Sequence, residues 1–187
     1  YNNYVIEHGE KLSDINGASI QDKVFTSLKG ENVITVVAVG GGNKKAAEVE
    51  FTGITWTTVA TGTYKFATAN IQKIYAESIE TSLQYCDTDP SAYRFKNLFG
   101  EGKHLKFTAT NGKYSDGATV CRVAPQETPL TFGSYGTVFV RDVATWQNDD
   151  SYLDCALYDN GYVNLWVQYY VEAGNLGNGH DEFYPAE

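Results

Sequence analysis

The fold class that this sequence predicts is all-β, an antiparallel β-sandwich or β-meander with at most short helices. Short runs of β-branched and aromatic residues recur along the 187 residues, and turn-forming Gly, Asn, Asp and Pro separate them. Within several runs apolar residues alternate with polar ones, which indicates strands with one buried and one wet face. Such strands are typical of a sandwich, an open meander or a closed barrel, and they disfavour a parallel sheet.

A β-hairpin is predicted in the N-terminal part of the chain. Val33 to Val39 form a β-branched run, and Gly40 to Asn43 form a turn signal. Apolar residues then alternate with glutamates from Ala47 to Phe51, as in a return strand with one wet face. Because the pattern of apolar and polar residues changes near Gly53, we expect residues 1–53 to form an N-terminal segment and residues 54–187 to form a β-rich domain.

Strands and turns are also predicted throughout the rest of the chain. The predicted strands are Ile79 to Tyr85, Tyr93 to Lys96, Leu105 to Ala109, Ala118 to Val123, Tyr135 to Val140, Tyr152 to Tyr158 and Tyr162 to Val171. The predicted turns are Asp87 to Pro90, Asn111-Gly112 and Asp159-Asn160-Gly161. We expect helical structure only as a turn or short helix in Glu10 to Lys29 and a short helix in Asn70 to Ser78.

The composition favours a folded domain and disfavours several classes of partner. Hydrophobic residues make up 42% of the chain and charged residues 20%, so a core can form. The formal net charge is −9 and the basic residues are scattered, which excludes the basic track that nucleic acid or an anionic membrane requires. No apolar run approaches the roughly 20 residues of a membrane span. The absence of methionine and of a charged and apolar leader indicates a trimmed or mature chain.

The histidines and cysteines do not form a recognisable catalytic or metal-binding motif. We interpret His8, His104 and His180 as solvated loop residues, and Gly133-Ser134-Tyr135-Gly136 lacks the spacing of a nucleophile elbow. The three cysteines have no metal-ligand spacing, so buried free thiols are preferred, with one disulfide as the alternative. They are Cys86, Cys121 and Cys155.

The acidic residues leave two further hypotheses open. A carboxylate-dependent hydrolase would need two facing carboxylates, and Asp142, Asp154 and Glu172 lie on or beside predicted strands. Calcium would need oxygen ligands such as those of Asn148-Asp149-Asp150 and Asp159-Asn160-Gly161. Neither segment has the spacing of a calcium loop, and such residues are ordinary in turns. We therefore predict no catalytic residue and no cofactor, with calcium as the alternative.

The predicted strand from Tyr162 to Val171 suggests a binding face. Its odd-numbered residues form a predicted core face: Val163, Leu165, Val167, Tyr169 and Val171. Its even-numbered residues are Tyr162, Asn164, Trp166, Gln168 and Tyr170. Aromatic residues four positions apart on a strand lie about 13 Å apart, so their rings could stack on successive sugars. The amides between them could form hydrogen bonds with sugar hydroxyls. We therefore predict glycan binding on this face. The alternative is that these rings pack under a second sheet, a loop or a barrel wall.

Two groups of motifs resemble parts of known surface proteins. Phe25-Thr26-Ser27-Leu28, Val33 to Val39 and Gly42-Asn43 resemble the last two strands of a fibronectin type III or immunoglobulin-like module. The following segments together resemble the β-rich C-terminal region of uncharacterised Bacteroidetes surface lipoproteins, which are often encoded near polysaccharide-uptake systems: Trp56 to Tyr64, Ala92 to Gly100, Val123 to Gln126, Ser134 to Gly136 and Tyr169 to Gly174. This resemblance covers roughly residues 25–183. It implies export to the cell surface or medium, a lipid anchor N-terminal to this segment, and a glycan or surface protein as partner.

A second resemblance concerns the C-terminal third. Cys155 to Tyr158, the turn at Gly161 and Leu165-Trp166-Val167 resemble the last strands of arthropod lipocalins, although Asn164 replaces the usual cysteine. That family implies a barrel around a small hydrophobic or amine ligand. The predicted function is therefore a non-catalytic cell-surface module that binds polysaccharide or supports a glycan-uptake system. The alternatives are a lipocalin-like binder, a structural spacer or adhesion module, and a carboxylate-dependent glycoside hydrolase.

Overall fold

The chain is predominantly antiparallel β-sheet, as predicted. A computed structural model describes the backbone of residues 2–7, 19–21, 24–26, 30–40 and 43–187, and the side chains from residue 53 onward. Contacts divide the chain into two compact units, Tyr1–Trp56 and Thr57–Glu187. No helix in these described ranges is long and apolar enough to cross a membrane.

The described part of the N-terminal unit contains a three-stranded sheet and a separate hairpin. Its strands are β1 (Asn2–Glu7), β2 (Ser19–Gln21), β3 (Val24–Thr26), β4 (Gly30–Gly40) and β5 (Asn43–Gly53). β4 and β5 form the predicted hairpin, whereas β1 pairs with β4 in parallel, which was not predicted. β2 pairs with β3 where a turn or short helix was expected. His8, Gly41, Gly42 and the side chains of this hairpin lie outside the described residues.

The C-terminal unit is an antiparallel meander whose two ends are joined. Its strands are β6 (Trp56–Lys65), β7 (Ser78–Cys86), β8 (Asp89–Phe95), β9 (Leu105–Lys113), β10 (Thr119–Arg122), β11 (Gln126–Thr131), β12 (Thr137–Asp142), β13 (Cys155–Leu157), β14 (Val163–Val171) and β15 (Gly174–Pro185). Neighbours follow the order β11-β12-β14-β13-β10-β9-β8-β7-β6-β15, and β14 also pairs with β15. The eight strands from β14 through β13, β10, β9, β8, β7 and β6 to β15 therefore close into a ring.

Short helical segments connect some of these strands. They are α1 (Ala69–Ile74), α2 (Val143–Gln147) and the 3-10 turns Gly133–Tyr135 and Asp150–Tyr152. α1 corresponds to the predicted short helix, and its Ile71 is buried in the core with Ile74 and Tyr75 packed beside it. α2 was not predicted, because its five residues are too few to show a helical period.

Three local predictions were wrong. The turn after β9 is not at Asn111-Gly112, because the strand continues to Lys113 and turns two residues later, where Asp116 accepts a hydrogen bond from the amide of Ala118. Tyr135 does not begin a strand, since it ends a 3-10 turn and β12 begins at Thr137. Tyr152 also lies in a 3-10 turn, so the strand predicted from Tyr152 is reduced to β13.

β15, which completes the ring, was not predicted from the sequence. Its first half is rich in Gly and Asn, which are depleted in strands. A Cβ added at Gly179 would lie 2.8 Å from the Cβ of Ala67, so the segment before α1 packs closely on the backbone of β15. Glycine is therefore required by a contact between residues far apart in sequence.

Apolar side chains fill the interior of the closed sheet. Each of the eight ring strands contributes to one buried cluster, with Tyr64, Leu83, Phe95, Phe107, Cys121, Cys155, Leu165 and Phe183 as representatives. The three cysteines are buried and free, which is the preferred alternative from the sequence. Buried apolar side chains from all eight strands therefore line the interior of the ring.

A buried carboxylate lies at the seam where β15 meets its two neighbours. Asp181 of β15 accepts hydrogen bonds from the hydroxyl of Tyr64 at 2.9 Å, the hydroxyl of Tyr169 at 2.7 Å and the amide of Ala67 at 2.8 Å. Its side chain is fully buried, and this burial raises the pKa of Asp181 to about 6 despite the three hydrogen bonds. Because Tyr64 is on β6 and Tyr169 is on β14, Asp181 joins both seams of β15.

Replacing Gly62 with alanine tests the seam between β6 and β15. An added Cβ would lie 2.1 Å from the carbonyl oxygen of Tyr184, so the two backbones must separate. We expect the free energy of unfolding in urea to fall by about 3 kcal/mol. The exposed neighbour Thr61 provides the control, and Thr61→Ala should stay within about 0.5 kcal/mol of wild type. An unchanged unfolding midpoint in Gly62→Ala would contradict this seam.

The Asp181→Asn variant should remove a pH dependence of stability. A raised folded-state pKa means that the folded protein binds the Asp181 proton more tightly than the unfolded chain does. The stability gained from this tighter proton binding is therefore complete below the unfolded-state pKa of about 4. It is lost as the pH rises through the folded-state pKa of about 6. Between pH 4 and 7 the stability of Asp181→Asn relative to wild type should rise by about 3 kcal/mol. Urea denaturation across that range measures the difference, and a pH-independent difference would contradict the burial of an ionisable group.

Candidate functional site

The even-numbered residues at β14 lie on the outside of the closed sheet, and we call them the outer face of β14. They are Tyr162, Asn164, Trp166, Gln168 and Tyr170. The odd-numbered residues are at most 4% exposed and belong to the core cluster. Tyr162, Asn164, Trp166 and Tyr170 are partly exposed, whereas Gln168 is buried beneath its neighbours. The predicted alternation is therefore present, and it places the rings where solvent reaches them.

Residues from the two strands beside β14 widen this face. Phe139 and Arg141 of β12 are paired with Tyr170 and Gln168. His180 of β15 is paired with Trp166, and Asn178 and Glu182 lie two positions on either side of it. Directly paired residues in an antiparallel sheet point to the same side, so these side chains share the surface with the outer face.

Tyrosine rings cluster around Tyr162 at one end of the outer face. Its ring centroid lies 5.3 Å from that of Tyr158 and 5.4 Å from that of Tyr184. Its hydroxyl donates a hydrogen bond to Glu182, which lowers the pKa of Glu182, while burial and this bond raise the pKa of Tyr162. This end therefore combines exposed aromatic surface with a carboxylate that is ionised at neutral pH.

Trp166 is held in a fixed orientation at the centre of the face. Its ring stacks on His180 with centroids 5.2 Å apart and an interplanar angle of 12°, and its Nε1 donates to Asn178 Oδ1 at 3.1 Å. His180 in turn lies 3.2 Å from Asn164 Oδ1 through Nδ1 and 3.7 Å from Asp154 Oδ2 through Nε2. His180 therefore belongs to a strand and to this cluster, and its interpretation as a loop residue was wrong.

The other end of the outer face combines stacked rings with a guanidinium group. Tyr170 stacks on Phe139 with centroids 5.5 Å apart, and the Cζ of Arg141 lies 4.3 Å from the Tyr170 centroid. Arg141 Nε donates to Gln168 Oε1 at 2.8 Å, and Gln168 Nε2 donates to Asn175 Oδ1 at 3.1 Å. The buried amide of Gln168 therefore orients the guanidinium group.

Asp142 and His104 make structural contacts, whereas the third candidate carboxylate, Glu172, is exposed in the turn after β14. Asp142 is buried, and it accepts hydrogen bonds from Arg122 Nε at 3.1 Å, Val123 N at 2.8 Å and Thr145 N at 2.6 Å. The bond from Thr145 caps α2, so Asp142 stabilises the segment that leaves the sheet after β12. His104 Nδ1 accepts a hydrogen bond from the amide of Asn97, and burial lowers the pKa of His104 to about 4.

The two loops considered for calcium contain ordinary turn hydrogen bonds. Asp149 accepts from the amide of Ser151 at 2.8 Å, and Asp150 pairs with Arg122 Nη1 at 2.9 Å. Asn160 accepts from the amide of Tyr162 at 3.0 Å. Within the described ranges, no group of three or more His, Cys, Asp or Glu is placed to hold a metal ion.

Sequence reasoning identified the residues of β14 but missed those contributed by β12 and β15. Phe139 and Arg141 alternate with buried Val138 and Val140, so the same alternation, extended to Arg141, indicates a second partly exposed face. His180 carries no comparable signal, because it lies in a polar segment without apolar alternation. Its place beside Trp166 depends on a pairing between strands.

Acrylamide quenching of tryptophan fluorescence tests the exposure of Trp166. All three tryptophans are partly exposed, so acrylamide should quench the emission of the native protein. A Trp166→Phe variant should lose part of the quenchable emission while unfolding in urea near the wild-type midpoint. Trp146→Phe is the matched control, because it removes a partly exposed ring in α2. Native emission that acrylamide does not reduce would show that the rings are covered.

Comparisons with known proteins do not place the chain in a family. No family of known proteins matches it, and neither the curated proteins nor the solved structures contain a match. The resemblances to Bacteroidetes surface lipoproteins and to lipocalins therefore stay predictions from short motifs.

Proposed function

We propose that this protein is a non-catalytic module that binds polysaccharide through the outer face of β14. One observation carries the proposal: Tyr162, Trp166 and Tyr170 are partly exposed at regular intervals along one strand, with Asn164 and buried Gln168 between them. The interval from Tyr162 to Tyr170 is about 26 Å, long enough for several sugar units. Extended, repeating ligands suit such a row better than compact ones do.

The contacts around the rings support binding with a small loss of side-chain freedom. Trp166 is held by His180 and Asn178, and Tyr162 is held by Glu182. Side chains that are already ordered lose little conformational entropy when a ligand binds, so more of the contact energy contributes to affinity. Tyrosine and tryptophan also offer apolar surface together with a polar group, as sugar recognition requires.

Exposed tyrosines beside β14 extend the proposed contact surface. His180 covers one side of the Trp166 ring, so a sugar would contact the remaining surface of this ring and the neighbouring Tyr152. Tyr152 is 42% exposed, and Tyr184, beside Tyr162, is 41% exposed. Both rings were outside the site predicted from the sequence, and we include them in the proposed site.

Packing in the interior favours this proposal over a lipocalin-like function. The lipocalin alternative requires space for a ligand inside the ring, where the buried core cluster lies. The proposal also includes a secreted or outer-surface location and a partner from a glycan-uptake system. The motifs that resemble surface lipoproteins support these two elements.

Glycan binding by wild type and by Trp166→Ala tests the proposed function. Wild type should bind members of an array of plant, host and microbial glycans. Loss of the central ring should weaken binding to the best of these at least tenfold in calorimetric titration, the scale expected for a central aromatic contact. Tyr135→Ala is the matched control, since Tyr135 is 62% exposed in the 3-10 turn before β12 and does not belong to the outer face, and the affinity of this variant should be unchanged.

Two results would reject the proposal. One is a wild-type protein that binds no glycan of the array. The other is a folded Trp166→Ala variant, with a wild-type urea midpoint, that binds as tightly as wild type. A folded Tyr184→Ala variant provides a second measurement if Trp166→Ala is unstable, and its affinity should also fall.

A further inference from the structure

Arg141 lies beside the outer face of β14, and its contacts with residues whose side chains the structure describes do not include a carboxylate. Among the residues whose side chains are described, its partners are Gln168, through Nε, and the ring of Tyr170. Arg122, by contrast, is paired with Asp142 and Asp150. The two terminal nitrogens of Arg141, Nη1 and Nη2, therefore have donors left for a ligand.

Contacts on both sides hold the guanidinium group in place. Gln168 is only 1% exposed, and its amide nitrogen is bound to Asn175 Oδ1, so Gln168 Oε1 points to Arg141 Nε. The ring of Tyr170, itself stacked on Phe139, supports the guanidinium plane. A planar group held through Nε presents its terminal donors as a fork, the geometry that binds carboxylate and sulfate oxygens in pairs.

The charges along the face are unevenly distributed. Asp154 and Glu182 lie toward the centre and the Tyr162 end, where these two carboxylates outnumber the cation Lys65 and would repel an anion. Arg141 is at the Tyr170 end, where the acidic positions are Glu127 of β11, opposite Phe139 by strand register, and the exposed Glu172, two residues after Tyr170. The net charge of −9 has little effect on an anion bound beside Arg141, because charges more than about 10 Å apart are screened at 0.1 M salt. Arg141 is therefore the cation beside Tyr170 that is positioned to bind an anionic group.

We infer that the ligand of the outer face is an anionic glycan and that Arg141 binds its carboxylate or sulfate group at the Tyr170 end. This inference rests on the proposed function and adds a ligand class to it. It also assigns an orientation, because the anionic group lies beside Tyr170 and the neutral part of the ligand extends over Trp166 toward Tyr162.

Two matched pairs of polysaccharides test the inference by calorimetric titration. One pair is polygalacturonate and its fully methyl-esterified form, which differ in the charge of the carboxyl group. The other pair is dextran sulfate and dextran. Wild type should bind the charged member of at least one pair roughly tenfold more tightly than the neutral member, the scale of a charge-assisted paired hydrogen bond. The pair that shows the preference identifies the anionic group.

Four variants assign that preference to Arg141. Arg141→Gln should bind charged and neutral members alike, and Arg141→Lys should keep only part of the preference because lysine lacks the planar fork. Lys65→Gln is the matched control, since Lys65 lies 4.9 Å over the Tyr184 ring and also stacks on a tyrosine, at the other end of the face. This control should preserve the wild-type preference. Glu127→Gln should strengthen binding of the charged member by removing a nearby negative charge.

The results separate failure of this inference from failure of the proposed function. Equal affinity of wild type for charged and neutral members, or a full preference in Arg141→Gln, overturns the anionic-glycan inference. The proposed function then stands if a neutral glycan of the array loses affinity in Trp166→Ala. Absence of binding to all four polymers overturns the inference even if the array shows a neutral ligand, and absence of binding to the whole array overturns both.

Discussion

Closure of the C-terminal sheet through β15 is the constraint on which the rest of this unit depends. β15 pairs with β14 along one edge and with β6 along the other, and thereby joins the last strand of the meander to its first. Asp181 reinforces both seams through Tyr64 and Tyr169, at the cost of burying a carboxylate. A polar group in that position links two strands that are more than a hundred residues apart in the chain.

Closure separates the two sides of every strand into an interior and an exterior. Since the buried core cluster lies in the interior, the proposed ligand recognition requires side chains on the exterior. The exterior of β14 meets this requirement because β12 and β15 lie on both sides of it and supply partners for its rings. An isolated strand with the same residues would leave those rings without the contacts that orient them.

Two buried amino acids with polar side chains show how the interior and exterior are connected. Gln168 belongs to the outer face by alternation, yet its neighbours cover it, and it orients Arg141 instead of contacting solvent. Asp142 points inward, where it caps α2 and binds Arg122. It therefore stabilises the helical segment that connects β12 to β13. Both side chains act through their neighbours, which explains why residue type alone did not reveal their roles.

The sequence by itself determined the all-β class, the strand β14 with its two faces, and the short helix α1, because alternation and turn chemistry are local properties of the chain. Only the tertiary structure decided that β15 is a strand, since its glycines are required by contact with Ala67 and not by local preference. It also decided which side chains surround Trp166 and where Arg141 lies, because strand pairing brings distant residues together. Local pattern thus predicted the rings of the site, whereas the closed sheet determined their partners, their exposure and the charge beside them.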